Sequence, residues 1–110
     1  MLPNCSLTLT SMVKMMKYKR EVHYSAPFRR DYKKAKKQGK DIVLLREIIG
    51  KLANDEQLDE KHRDHALSGN WKDHRECHIA PDWLLVYRKN DKDELLLVLA
   101  RIASHSDLDF

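Results

Sequence analysis

From Tyr18 to Tyr24 the chain alternates, with Tyr18, Arg20, Val22 and Tyr24 on one side of a two-residue period and Lys19, Glu21 and His23 on the other. That period predicts a strand, in which successive side chains point to opposite faces. The pattern then changes. Phe28, Tyr32 and Ala35 recur at i, i+4 and i+7, the spacing of one helical stripe. Ser25 is placed to cap the first turn, and Pro27 sits inside it, where a missing N–H costs nothing. Gly39 ends this helix. Asp41 can cap a second one, in which Ile42, Leu45, Ile49 and Leu52 form a stripe widened by Leu44 and Ile48 and reaching Asn54. The short Gly39–Lys40 link predicts an antiparallel helix hairpin.

The stretch from Asp55 to Asn70 is polar and reads as a long loop, with Leu58 and Leu67 as its anchors. Three strands are predicted after it, Trp71 to Ile79, Trp83 to Arg88 and Glu94 to Ile102, separated by Pro81-Asp82 and by the run Lys89 to Asp93. The last strand is apolar on both faces, the mark of a central strand covered by helices. The expected architecture is α+β: a small, mostly antiparallel sheet of about four strands with the helix hairpin packed on one face. Residues 1–16 show no period and read as a flexible extension to a single domain over 17–110.

A length of 110 residues fits that single domain. The longest apolar run, Leu95 to Ala100, is strand-length, so no membrane-spanning segment is expected. The first residues lack a basic leader and an apolar stretch, and Cys5 and Cys77 do not make a disulfide framework. A reducing cytoplasm is the expected compartment. Net charge is only +4, but it is unevenly spread. Lys14 to Lys51 holds thirteen Lys/Arg against four Asp/Glu, whereas Leu52 to Phe110 holds eight against thirteen. On the first helix Arg29, Arg30, Lys33, Lys34, Lys36 and Lys37 fill the surface outside the apolar stripe. Such a field draws in polyanions, which suggests nucleic acid or an acidic protein; a merely solvated basic face is the alternative.

Five of the six histidines lie in the second half: His62, His65, His74, His78 and His105. Imidazole titrates near neutrality and serves as general acid or base without special tuning. Alternation over Trp71–Ile79 puts His74, Glu76 and His78 on one face and Arg75 and Cys77 on the other. A structural role for each histidine stands beside the catalytic one. Zinc has little support, because His62-x-x-His65 and His74-x-x-x-His78 come with no Cys-x-x-Cys pair and no His-Glu-x-x-His helix. Cys77, on the face opposite His78, reads as a small core residue rather than a nucleophile. Glycine-rich phosphate loops are missing from the sequence, whose glycines are Gly39, Gly50 and Gly69. Metal-free RNA cleavage asks for less: a base for the ribose 2′-hydroxyl, cations for the phosphate and an acid for the 5′-oxygen. Trp83 and Phe110 could stack on bases, or be a core side chain and a frayed end respectively.

The segments DHALSGNW (64–71), RECHIAPDWLLVYR (75–88) and RIASHSDL (101–108), in that order after a basic helix pair, resemble the YafQ-type branch of the RelE superfamily, toxins of type II toxin–antitoxin systems. The resemblance covers about residues 17–110. It implies a small antiparallel sheet with a helix hairpin. It also implies a ribosome-dependent endoribonuclease that cuts messenger RNA in the A site, with no cofactor or metal. A cognate antitoxin would neutralise it and join it in repressing operator DNA. By the same resemblance His65, His78, Asp82 and His105 form the acid–base set, with His105 as general acid or base and His65 as its counterpart, the sequence leaving open which is which. Trp83, Phe110, Arg75 and Arg101 would contact substrate, and the basic helix would bind ribosomal RNA through Arg29, Arg30, Lys33, Lys36 and Lys37. Two positions depart from the pattern: Asp109 stands before the terminal Phe110, and Asp73-His74 replaces the more usual Gly-aromatic pair. A catalytically silent member that acts only in an antitoxin-bound repressor is the alternative.

Overall fold

Among the described residues, five strands, two long helices and one short helix follow one another along the chain. They are β1 (Glu21–Tyr24), α1 (Ala26–Lys37), α2 (Ile42–Ala53), β2 (His65–Ala66), β3 (Arg75–Ala80), β4 (Trp83–Asn90), β5 (Leu96–Ala103) and α3 (His105–Leu108). The computed structural model describes residues 18–92 and 95–108, with His105 described by its backbone alone. The expected extension at 1–16, Asp109 and Phe110 lie outside the described residues.

Both helices begin where their capping side chains predict. The Ser25 hydroxyl accepts from the Phe28 amide at 3.0 Å and donates to the Ala100 carbonyl at 2.8 Å, so one side chain caps α1 and ties it to β5. Asp41 accepts from the Leu44 amide at 3.0 Å and starts α2. The stripe of α1 is buried through Phe28, Tyr32 and Ala35, and that of α2 through Leu45, Ile48, Ile49 and Leu52. On α2 the Tyr18 ring passes so close to Gly50 that a Cβ there would lie 2.9 Å from the tyrosine oxygen.

The sheet order is β1-β5-β4-β3-β2. Pairing is antiparallel except between β1 and β5, which run parallel, Glu21 beside Leu96 and Tyr24 beside Leu99. Strand β5 is an interior strand between β1 and β4, as its two-faced apolar pattern predicts, and β4 takes the middle of the sheet. The sheet has five strands rather than about four, because part of the expected loop forms β2. That strand is two residues long, too short to show a period. The strand expected over Trp71–Ile79 begins at Arg75, not Trp71: Gly69–Trp71 makes a 3₁₀ turn and Asp73 takes a left-handed conformation (φ 68°). His74 therefore leaves the face of Glu76 and His78, and its Nδ1 sits 3.1 Å from the Lys72 carbonyl. The hairpin expectation also needs amending, since each helix makes its main contacts with the sheet, α1 on β5 and α2 across β3 and β5.

The main core fills the space between the helices and one sheet face, with Phe28, Tyr32, Leu45, Ile49, Leu85 and Leu99 at its centre. Among the described residues the other face carries a smaller apolar patch of Leu84, Val86, Ala103 and Leu108, with Leu67, Trp71 and Ala100 packed against it. At the far end the buried Arg20 joins three elements. It donates to Asp55 after α2 at 2.7 Å, to Asp91 in the β4–β5 turn at 2.5 Å and to the Leu96 carbonyl at 3.2 Å. No helix among the described residues is long and apolar enough to cross a membrane.

Candidate active site

Cross-strand partners share a face of a sheet, and the register therefore decides which side chains meet. His65 pairs with Glu76, Glu76 with Val86, and Val86 with Arg101; one row farther on, His78 pairs with Leu84 and Leu84 with Ala103. Leu84, Val86 and Ala103 of these rows lie on the face opposite the main core, whereas the Arg101 side chain reaches α1. Two residues beyond Ala103 the chain enters α3 at His105, so the backbone of that histidine stands at the end of the second row.

Glu76 is the centre of the first row. Its side chain is only 3% exposed, and one oxygen lies 3.6 Å from His65 Nε2 and 3.4 Å from His78 Nε2. Two imidazoles thus flank one oxygen of a buried carboxyl group. His65 is half exposed and His78 mostly buried. His65 Nδ1 donates to the Arg63 carbonyl at 2.6 Å, which fixes the ring and leaves Nε2 as the atom that can take a proton.

The segment before β2 is held at successive residues. His62, buried, donates from Nδ1 to the His78 carbonyl at 2.6 Å. Arg63 turns the chain through a left-handed conformation (φ 46°) that brings its carbonyl to His65. Asp64 accepts from Tyr87 Oη at 2.6 Å and Arg75 Nε at 3.1 Å. Burial first, and the Asp64 bond second, push the Tyr87 hydroxyl well above the ordinary tyrosine range. Arg75, expected among the substrate contacts, is thus engaged in anchoring the loop before β2.

Asp82 is exposed in the turn between β3 and β4, and it shares a cavity of about 450 Å³ with Trp83, Arg101, Ser104 and the last turns of α1. Of the two readings of Trp83, core packing describes most of the side chain, which is 4% exposed and belongs to the main cluster. Arg101 forks onto Asp31 of α1, Nε to Oδ2 at 2.6 Å and Nη2 to Oδ1 at 3.1 Å, and that bond raises its pKa above the usual value. Arg29, Arg30, Lys33, Lys36 and Lys37 are all exposed on α1. Cys77 is the core residue its alternation implies, and burial pushes its thiol far above the ordinary range, against a nucleophilic role. Among the described residues no group of three or more His, Cys, Asp or Glu is placed to hold a metal ion. The structure brings His65 and His78 together, sets Asp82 and Arg101 in a neighbouring cavity, and adds Glu76, to which sequence reasoning gave no role. Its signal was the alternation that put it beside His78 on one face.

Residues 20–109 match the family model described as the bacterial toxin of type II toxin–antitoxin systems, YafQ. The mRNA interferase toxin YafQ of Escherichia coli K12 is 37% identical over 90 residues, which cover 81% of this chain and 95% of that protein. Among solved structures, the toxin in the E. coli DinJ–YafQ toxin–antitoxin complex superposes with a TM-score of 0.73 at 36% identity, covering 82% of this chain and 97% of that one. YafQ from E. coli BL21(DE3) gives a TM-score of 0.74 at 36% identity, over 81% and 97% of the two chains. The register that gathers the histidines, the fold around them and these likenesses agree: the chain belongs to the YafQ family of bacterial toxins of type II toxin–antitoxin systems.

Proposed function

We propose that the protein is an endoribonuclease toxin that cuts messenger RNA in the ribosomal A site by acid–base catalysis and is neutralised by a cognate antitoxin. In this reading His65 Nε2 removes the proton from a ribose 2′-hydroxyl. The 2′-oxygen attacks the adjacent phosphorus, the P–O5′ bond breaks, and His105 returns a proton to the departing 5′-oxygen. The products are a 2′,3′-cyclic phosphate and a 5′-hydroxyl, with no net gain or loss of protons. Glu76 stabilises the imidazolium formed at His65, and His78 lies on the other side of that carboxylate, where it can donate to the phosphate. Asp82 orients the nucleotide from the adjoining turn, with Trp83 and Phe110 as aromatic contacts and Arg75 and Arg101 as cations held near the strand. The basic face of α1 supplies salt-sensitive affinity for ribosomal RNA. Antitoxin binding would also carry the toxin to operator DNA, and the cytoplasm is where these partners meet.

The observation that carries this reading is the buried Glu76 between His65 and His78 on the open sheet face. The test is 5′-end mapping of a defined messenger RNA on translating ribosomes, with the unaltered protein and with His105→Gln. New ends in the A-site codon made only by the unaltered protein are the expected result. Absence of new ends from both, with antitoxin binding intact, would leave the silent-repressor alternative.

A further inference from the structure

Strand β2 pairs with β3 only at Arg75 and Glu76, so residues 78–80 continue without a strand beside them on that edge. The edge is covered by the turn Glu60–His62, through the bond from His62 to the His78 carbonyl. Between this turn, the start of α2 and the end of β3 lies a groove of about 680 Å³. Leu44, Ile79, Ala80 and Pro81 give it apolar walls, Lys61 and Arg63 bring cations, and His78 stands at its border. Lys61 and Arg63 are exposed, and neither side chain makes a hydrogen bond or ion pair among the described residues.

The two cavities beside the site differ in charge. Asp31, Asp82 and Asp107 line the one next to Arg101, whereas no carboxylate lines the groove at Lys61 and Arg63. An anion is therefore favoured in the second. Its volume falls within the roughly 300–1,000 Å³ of small-ligand sites, and an apolar wall with cations at the mouth suits a base joined to a phosphate. Because His78 belongs both to this groove and to the Glu76 cluster, a strand leaving the reacting phosphate can enter the groove directly. Arg63 holds its left-handed conformation here, a conformation that costs a non-glycine residue energy and gathers at functional sites.

We propose that this groove is a subsite for one nucleotide of the RNA beside the scissile phosphate, its base against Leu44, Ile79 and Pro81 and a phosphate between Lys61 and Arg63. The proposal rests on the ribonuclease reading for the identity of its ligand. The probe is a 2′-O-methyl RNA hexamer, which cannot form the attacking 2′-oxyanion, titrated into the ¹⁵N-labelled full chain. Amide shifts are expected at residues 61–63 and 78–80. The double variant Lys61→Ala, Arg63→Asn, whose asparagine tolerates the left-handed backbone, should bind about tenfold more weakly or worse. Its slope of log affinity against log salt should be shallower by about 1.4, two single-strand phosphate contacts at about 0.7 each. Unchanged affinity and slope in a variant with the parental melting temperature overturn the proposal. So do hexamer-induced shifts in the unaltered protein that bypass the groove, and the lack of any shift. A-site cleavage is read separately: groove binding without cleavage removes the nuclease reading and keeps the subsite, and cleavage that the double variant retains with unaltered hexamer binding does the reverse.

Discussion

Replacing Asp55 by Asn removes one negative charge from the junction of β1, the end of α2 and the β4–β5 turn while preserving shape. Asp55 has a left-handed backbone (φ 58°), which Asn accommodates as readily, so no new strain enters. The carboxylate accepts from Arg20 at 2.7 Å and Lys89 at 2.8 Å, and these bonds, Arg20 first, lower its pKa to about 2 from an ordinary 3.8. At about 1.36 kcal/mol per pKa unit that depression sets a ceiling of roughly 2.4 kcal/mol on the carboxylate's contribution to stability. Its side chain is 36% exposed, and solvent screening brings the figure nearer 1 kcal/mol. For a domain of this size the variant should melt about 4 °C lower at pH 7. A depressed pKa gives stability that is complete above the unfolded value and is lost as pH falls through the folded one. The difference between the two proteins should therefore persist at pH 5 and close between about pH 4 and pH 2. Thermal melts followed by circular dichroism across that range test it. A difference that does not vary with pH, or none at pH 7, would refute the assignment of the effect to the Arg20–Asp55–Lys89 charges.

Glu76→Gln keeps the shape of the buried side chain but removes the charge facing both imidazoles, and cleavage of ribosome-bound messenger RNA should fall by about 10²-fold with the melting temperature little changed; full activity would exclude Glu76 from the mechanism. Lys33→Glu with Lys36→Glu reverses two charges on the exposed face of α1, which should weaken ribosome binding and flatten its salt dependence without altering the fold, as read by sedimentation at two ionic strengths.

The helices were legible because each carries a 3.6-residue stripe with its cap in place, and Ser25 and Asp41 act where they were expected. Strand β5 was legible as an interior strand from its apolar residues on both faces. The parallel partnership of β1 with β5 was not, since it joins Glu21 to Leu96 across most of the chain and no local pattern encodes it. Strand β2 escaped because two residues carry no period, and β3 was started too early because Asp73 bends the backbone where alternation continues in the letters. In the site, alternation placed Glu76 and His78 together and Cys77 opposite. What composition could not show is which carboxylate takes which arginine. Arg75 and Arg101 read as cations available to substrate, and the fold commits one to Asp64 and the other to Asp31, partners 11 and 70 residues away.

The position of β5 has a consequence for synthesis. The strand that both β1 and β4 need as a neighbour follows every other strand of the sheet in the chain, so a growing polypeptide makes its helices and the other four strands before the one that joins β1 to β4. Partners so distant along the chain also slow the closing step, because the loop entropy is lost before the contacts form. The same late segment leads into His105. A copy of this protein that stops before Leu96 is therefore left without the strand that joins β1 to the rest of the sheet and without His105.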